Sequence, residues 1–320
     1  MLPFAARRSL QALVILALVT FLSYVIMSMA PGNALQTFID PRVPPAELAA
    51  AERALGLDKP VAARYLSWLR ELASGNLGYS IKTGTPVGAL ILSRLGPTLL
   101  LMGTALALMT ALAIVLGVVS AARPYSFVDY LATTFAFAGI SVPSFFFALT
   151  LIYVFAVQLG WLPTSGLQTY QRELSGLDLA LDRAAHLVLP VAVLALTGTA
   201  ELVRHVRSAV SEALKQDYVR TAKGKGVASR AVLLNHALRN SWLPIITLLG
   251  VALPRFFSGS VVTEVVFAWP GMGRLLVDSV FARDYPVAMG INLFAAMLVL
   301  LGNLLADVAY GLADPRIRYQ

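Results

Sequence analysis

The chain has no cysteine, three histidines and few charges: Asp, Glu, Lys and Arg make up 13% of its 320 residues, while 58% are hydrophobic. Missing cysteine excludes disulfides, thiolate catalysis and cysteine-based metal sites, though it fixes no compartment. The shortage of charge, against roughly 25% in soluble domains, argues against an ordinary water-solvated surface. The charges are also missing in blocks. Residues 9–30, 97–122, 130–159 and 287–306 contain no Asp, Glu, Lys or Arg. Runs of about 20 residues cross a hydrocarbon core about 30 Å thick at 1.5 Å per residue. Residues 187–200 form a shorter run unless their flanks join it, and 241–263 are interrupted by Arg255. The expectation is an all-α polytopic membrane protein with six spans.

What charge there is sorts by side. Arg7 and Arg8 precede the first run and favour a cytoplasmic N-terminus; an even number of spans then returns the C-terminus to the same side. Segment 201–240 falls inside and carries Arg204, Arg207, Lys215, Arg220, Lys223, Lys225, Arg230 and Arg239 against Glu201, Glu212 and Asp217. Segment 31–96 also holds basic residues, but loops beyond about 60 residues cross largely regardless of charge. The net charge of +8 therefore reflects topology rather than nucleic-acid binding. The first run is longer than a signal-peptide core, and Pro31 directly follows Ala30, so it is read as retained. The chain thus divides into 1–30, an extracytoplasmic helical insertion at 31–96, a core at 97–310 and a cytoplasmic tail at 311–320.

In the insertion, Pro44 and Pro45 open a helix-forming run to Leu55, with Gly56 as its stop. Asp58 before Pro60 has the form of an N-cap for a helix to about Ala73, on which Val61, Tyr65, Trp68, Leu69 and Leu72 make an apolar stripe suited to packing. Pro86 to Leu95 reads as a short amphipathic lead-in to the second span. Pro143 and Pro190 each remove a backbone donor inside a span and invite a kink. After the fourth span, Leu202, Val203, Val206, Ala209, Val210, Ala213 and Leu214 keep a helical rhythm. Gly224 and Gly226 then interrupt it, and Ser229 caps a second helix faced by Val232, Leu233, Ala237 and Leu238. Two short helices around a glycine elbow suit docking onto a groove of another protein. A basic amphipathic pair lying on anionic lipid is the alternative.

Site chemistry is sparse. Gly224-Lys225 lacks the glycine spacing and the following Ser or Thr of a phosphate-binding loop, so the chain supplies no nucleotide site. Lys82-Thr83-Gly84 lacks the Ser-x-x-Lys that would make it a penicillin-binding motif. His186 falls toward the outside and His205 and His236 inside, which separates them as metal ligands. Arg255 is the informative exception, since a mid-span cation costs about 2.5–3.5 kcal/mol unless paired or facing water. With Pro254, which frees the Gly250 carbonyl, it is a candidate for the border of a translocation path, along with Ser141 and Pro143. A buried ion pair with a partner is the other reading of Arg255. Glu264, nine residues on, falls on the opposite face of a straight helix.

Several stretches carry a family resemblance: Leu57-Asp58-Lys59-Pro60, Gly160-Trp161-Leu162-Pro163-Thr164-Ser165-Gly166, Asp217-Tyr218-Val219-Arg220-Thr221-Ala222-Lys223, His236-Ala237-Leu238-Arg239-Asn240, Phe267-Ala268-Trp269-Pro270-Gly271-Met272-Gly273 and Asp314-Pro315-Arg316-Ile317-Arg318. In this order they resemble the permease subunits of dipeptide, oligopeptide and nickel ABC importers. The importer motif, Glu-Ala-Ala followed by Gly and then Leu-Pro, lies over Arg220-Thr221-Ala222, Gly226 and Leu238, with Arg239 in place of proline. Glu212-Ala213-Leu214 is out of register with Gly226. The resemblance implies a Type I importer fold, a homologous second permease, two cytoplasmic ATPases that bind ATP and Mg, and an extracytoplasmic binding protein. This chain then binds no cofactor. It also implies ATPase coupling through Asp217, Tyr218, Arg220, Thr221, Ala222, Lys223, Gly224, Gly226, His236, Leu238 and Arg239. Phe267, Trp269, Pro270, Gly271 and Gly273 fall on the side of the binding protein and outer gate. A secondary transporter would show acidic residues within its spans, and an intramembrane enzyme paired carboxylates or a nucleophile motif; the charge-free runs hold neither. Dipeptides, longer peptides, glutathione-like compounds and nickel chelates all remain open as cargo.

Overall fold

The computed structural model of the chain describes residues 2–29, 58–170, 173–242, 245–246 and 260–313. The expected helix from Pro44 to Leu55, the pair Pro254 and Arg255, the stretch from Asp314 to Arg318 and most of 241–263 lie outside these residues. Apart from one isolated bridge, Tyr79 to Pro86, the described residues form helices and their connections. They group into two compact units, one drawn from residues up to Gly96 and Gly271–Leu301, the other from Pro97–Pro270 and the residues from Gly302 on.

In the first unit, α1 (Leu2–Met29) is an apolar helix of 28 residues, and α2 (Val61–Ala73) lies against it. The stripe on α2 faces that contact. Tyr65 is buried, its hydroxyl bonds Thr20 Oγ1 at 2.9 Å and donates to the Ala17 carbonyl at 3.1 Å, and its ring meets Phe21 and Tyr24. Pro60, not Asp58, is the N-cap of α2, and no side chain caps it. The proline ring already fixes φ there and has no N–H to satisfy. Val87 and Ile91 pack on Met272, Val287 and Ile291. A Cβ at Gly290 would stand 2.6 Å from Val87 Cγ1, so the contact needs glycine. Asp284 is buried and accepts from Ser80 Oγ and from the Ile81 N–H at 3.0 Å, which ties the hairpin at 79–86 to the turn after α9 (Met272–Phe281).

The lead-in to the second span is not separate: α3 (Val87–Ala122) runs 36 residues straight through Pro97. The fourth span likewise recruits both flanks, as α6 (Gly176–Ala213), 38 residues with Pro190 inside. At 1.5 Å per residue α6 is about 57 Å long, well beyond a hydrocarbon core. The third span is broken. α4 (Phe127–Ser141) ends before Pro143, and α5 (Ser144–Leu151) continues into a widened π turn, Ile152–Gln158. Among the described residues, four helices, α1 from Leu10, α3, α6 and α10 (Tyr285–Ala313) up to Gly302, are long and apolar enough to cross a membrane; Phe127–Phe137 and Ser144–Gln158 are shorter apolar helices.

The core of the second unit joins α3, α4 and α6 through Leu101, Ala105, Met109, Ala113, Ala132, Leu194, Val203 and Val206. Small residues let the backbones approach. A Cβ at Gly117 would lie 2.7 Å from Val206 Cβ, and one at Gly139 2.8 Å from Ala200 Cβ. Within lipid, such close approach replaces the hydrophobic drive that would hold helices together in water.

Candidate functional site

α6 leaves the span still helical, burying Leu202, Val203, Val206, Val210 and Ala213. It ends at Ala213 with Leu214 as its C-cap, ten residues before Gly224, and after a short turn α7 (Asp217–Gly224) begins. Segment 201–240 therefore holds three helical pieces where two were expected. Asp217 in the first turn of α7 and Lys223 in its last complement the helix dipole. The helix is pinned by its underside: Val219 and Ala222 are buried with Val232 against Leu214 and Val227. Asp217, Tyr218, Arg220, Thr221, Lys223 and Gly224 remain exposed. Ala222 thus packs inward while its neighbours present a polar, mostly basic face.

Only Gly226 makes the turn; Gly224 is still helical. At φ +79, Gly226 sits in the left-handed region and donates its N–H to the Lys223 carbonyl at 3.0 Å, while the Val227 N–H reaches Ala222 at 3.2 Å. Those two bonds, with Val227 packed on Ala222, are a Schellman motif. α8 (Ser229–Ala231) follows and runs into the π turn Val232–Leu238. Its N-cap is Ala228 rather than Ser229, with no side-chain cap. His236 and Leu238 are half-buried and Arg239 is exposed. Glu212, set aside in the motif comparison, lines a polar concavity of about 430 Å³ with His205, Gln216, Tyr218 and Asn240.

Sequence reasoning missed the ion pair above this segment. Arg207, counted only as a basic loop residue, donates from Nε to Asp129 Oδ1 at 2.7 Å and from Nη2 to Oδ2 at 2.8 Å. Asp129 lies just before the third charge-free run, in the first turn of α4, and its side chain is 6% exposed. A signal was available: Asp129 is the one carboxylate between residues 97 and 159.

Of the residues expected at the outer side, Phe267 and Trp269 are buried, as are Gly271 and Gly273, with Pro270 half-buried. They act from inside the turn. Trp269 Nε1 donates to the Pro97 carbonyl at 3.0 Å, and the Phe267 carbonyl accepts from the Gly166 N–H at 2.8 Å. Glu264 is fully buried and accepts from the Thr98 hydroxyl at 2.8 Å, a contact the sequence did not disclose. Ala268 holds φ +46 as the Trp269 N–H closes on Glu264 at 2.8 Å, a second Schellman turn with a Cβ where glycine fits best. Ser141 donates to the Phe137 carbonyl and is exposed beside Pro143. A cavity of about 140 Å³ at this break is lined by Phe135, Gly139, Val142, Phe147, Leu196 and Thr197.

Long apolar helices of this kind suit a membrane component, and comparison with known proteins agrees. Residues 113–319 match the binding-protein-dependent transport system inner membrane component family, and residues 1–102 match its N-terminal companion. The chain belongs to this family. This permease is 45% identical over 320 residues to the oligopeptide transport system permease protein AppB of Bacillus subtilis (strain 168), covering 100% of both chains. It is 42% identical to a putative peptide permease protein of Brucella suis biovar 1 (strain 1330), over 99% of each. It is 38% identical to the di/tripeptide transport system permease protein DppB of Pseudomonas aeruginosa (strain UCBPP-PA14), over 100% of each. A solved amino acid ABC transporter with histidines shares the fold: TM-score 0.53 at 16% identity, over 70% of this permease and 94% of that chain. The permease is a transport subunit of a bacterial inner membrane, not an enzyme.

Proposed function

We propose that this permease forms half of the pathway of an ATP-driven importer of di- and oligopeptides. The observation that carries the coupling part is α7: a short helix pinned by a buried underside, closed by the Gly226 turn, and presenting Tyr218, Arg220, Thr221 and Lys223 to solvent. Packing on that scale holds the helix in one pose, so a push on it is passed to α6 rather than absorbed. The likeness to peptide permeases over the whole length supports the cargo.

In this reading the partners are a homologous second permease, two ATPases that bind ATP and Mg, and an extracytoplasmic binding protein. Both termini are cytoplasmic, six spans cross the membrane, and segment 31–96 lies outside. Pro143 and the cavity beside it border the path, and Arg255 meets the cargo carboxylate within it; an Arg255→Ala variant with full import and normal assembly removes that role. The test of the whole is co-expression with the neighbouring transport genes and reconstitution. ATP hydrolysis is expected to rise when the binding protein is supplied with di- to pentapeptides. Stimulation by nickel chelates and not by peptides, or failure of any ATPase to co-purify, overturns the proposal.

A further inference from the structure

The Asp129–Arg207 pair has features that packing alone does not require. α4 and α6 already meet through Gly139 and Ala200, and α3 and α6 through Gly117 and Val206. An ion pair added to helices that already pack is seldom a net gain in stability, because the Asp129 carboxylate, 6% exposed, loses its hydration, while Arg207, 36% exposed, is only partly desolvated. What a bidentate pair adds is direction: two parallel N–H···O bonds fix both rotation and axial register. The pair is itself braced. The Tyr125 N–H donates to Asp129 Oδ2 at 2.9 Å, and the Asp129 N–H to Ser126 Oγ at 3.3 Å. Tyr125 is held at φ +62, a strained conformation for a residue with a Cβ. Below it, α6 continues without a break to Ala213, where the packing of α7 begins. Above it, α4 runs to Ser141 and the break at Pro143.

We propose that Asp129 and Arg207 are positioning residues of the transport cycle: the pair makes the first turn of α4 move with the cytoplasmic half of α6, so that displacement of α7 by an ATPase reaches the α4–α5 break. This rests on the coupling role of α7 proposed above. The chain lacks cysteine, so Phe127→Cys on α4 and Lys215→Cys just before α7, both exposed, take spin labels without a background from this subunit. The permease is assembled with its second permease and with ATPases freed of reactive cysteines, placed in lipid nanodiscs, and the label separation is measured without nucleotide and with ATP plus vanadate. The parent is expected to keep one narrow distribution in both states. In Arg207→Ala the nucleotide moves or splits it by about 5 Å, one helical turn. Arg207→Lys, which keeps charge but not the fork, falls between. Asp129→Asn replaces Arg207→Ala should the latter fail to assemble, and is expected to behave like it.

A purely structural pair lowers the amount of assembled complex without altering the nucleotide response, and that result overturns the proposal. A parent whose own separation moves by as much overturns it as well. If the parent carries no ATPase through purification, the role of α7 fails first, and this inference with it.

Discussion

Replacing Gly226 tests the proposed coupling role of α7 most directly, because its conformation and its surroundings point to different costs. Nothing lies within 4 Å of a Cβ built at this position, so a side chain meets no obstacle within the permease. The penalty comes from the backbone. A residue with a Cβ held in the left-handed region loses roughly 1–2 kcal/mol, and valine, branched at Cβ, loses more than alanine. That cost falls on the two bonds that close α7, Gly226 to Lys223 and Val227 to Ala222. At 1.4 kcal/mol per factor of ten, the closed turn is depopulated about 5- to 30-fold relative to its opened form. Asparagine tolerates the left-handed region better and should retain most of the closed population. The assay is ATP hydrolysis and peptide import by the reconstituted complex, scored as peptide carried per ATP consumed. Gly226→Val should hydrolyse ATP with little import or lose its ATPases, Gly226→Ala should lie between, and Gly226→Asn should approach the parent. Equal import per ATP in all three refutes the reasoning. So would a defect in Gly226→Asn as deep as in Gly226→Val, which would trace the effect to bulk against the ATPase rather than to the turn.

Other consequences are open to simpler measurement. Gly117→Val places a side chain where Val206 already stands; overpacking of this kind costs about 1–3 kcal/mol and should lower the midpoint of thermal aggregation in detergent. Ala268→Gly removes the strain of the turn at φ +46 and should raise that midpoint by the equivalent of about 1 kcal/mol; an unchanged midpoint would show that the turn stores no such strain. Trp269→Phe keeps the buried ring but loses the bond to the Pro97 carbonyl, an expected loss of about 1 kcal/mol by the same assay. Asp284→Ala takes away the acceptor shared by Ser80 and Ile81; protease cleavage within residues 79–86 of the purified permease should accelerate, and unchanged cleavage would show that the hairpin holds without it.

Much of the bundle was legible because lipid imposes a crude rule, the absence of charge, which residues 97–122 and 287–306 obey without exception. What the rule misjudged were helix ends. Water-side turns carry charge yet remain helical, so Val87 to Gly96 and Gly176 to His186 looked like flanks when they belong to α3 and α6. Periodicity found the stripe on α2 and the elbow near Gly226, since both depend on local spacing. It did not separate α7 from α6, because the break at Leu214 has neither glycine nor proline to mark it. The pairs Asp129–Arg207 and Glu264–Thr98 span 78 and 166 residues, and no local pattern joins partners so far apart.

α6 is long and apolar enough to cross a membrane in one piece. Near its first turns Asp182 takes both the N–H and the hydroxyl of Thr169 at 2.7 Å, and at its other end Ala213 leads toward α7. A rod anchored at both ends by directional bonds is sensitive to its length as well as its composition. One residue inserted between Asp182 and Arg207 advances one end by about 1.5 Å and turns it by about 100° relative to the other, so Arg207 would point away from Asp129 if Thr169 stayed in place. Substitutions that keep the helix are tolerable at many positions, but a single insertion there puts the two faces out of phase, and only a compensating deletion within the same stretch brings them back.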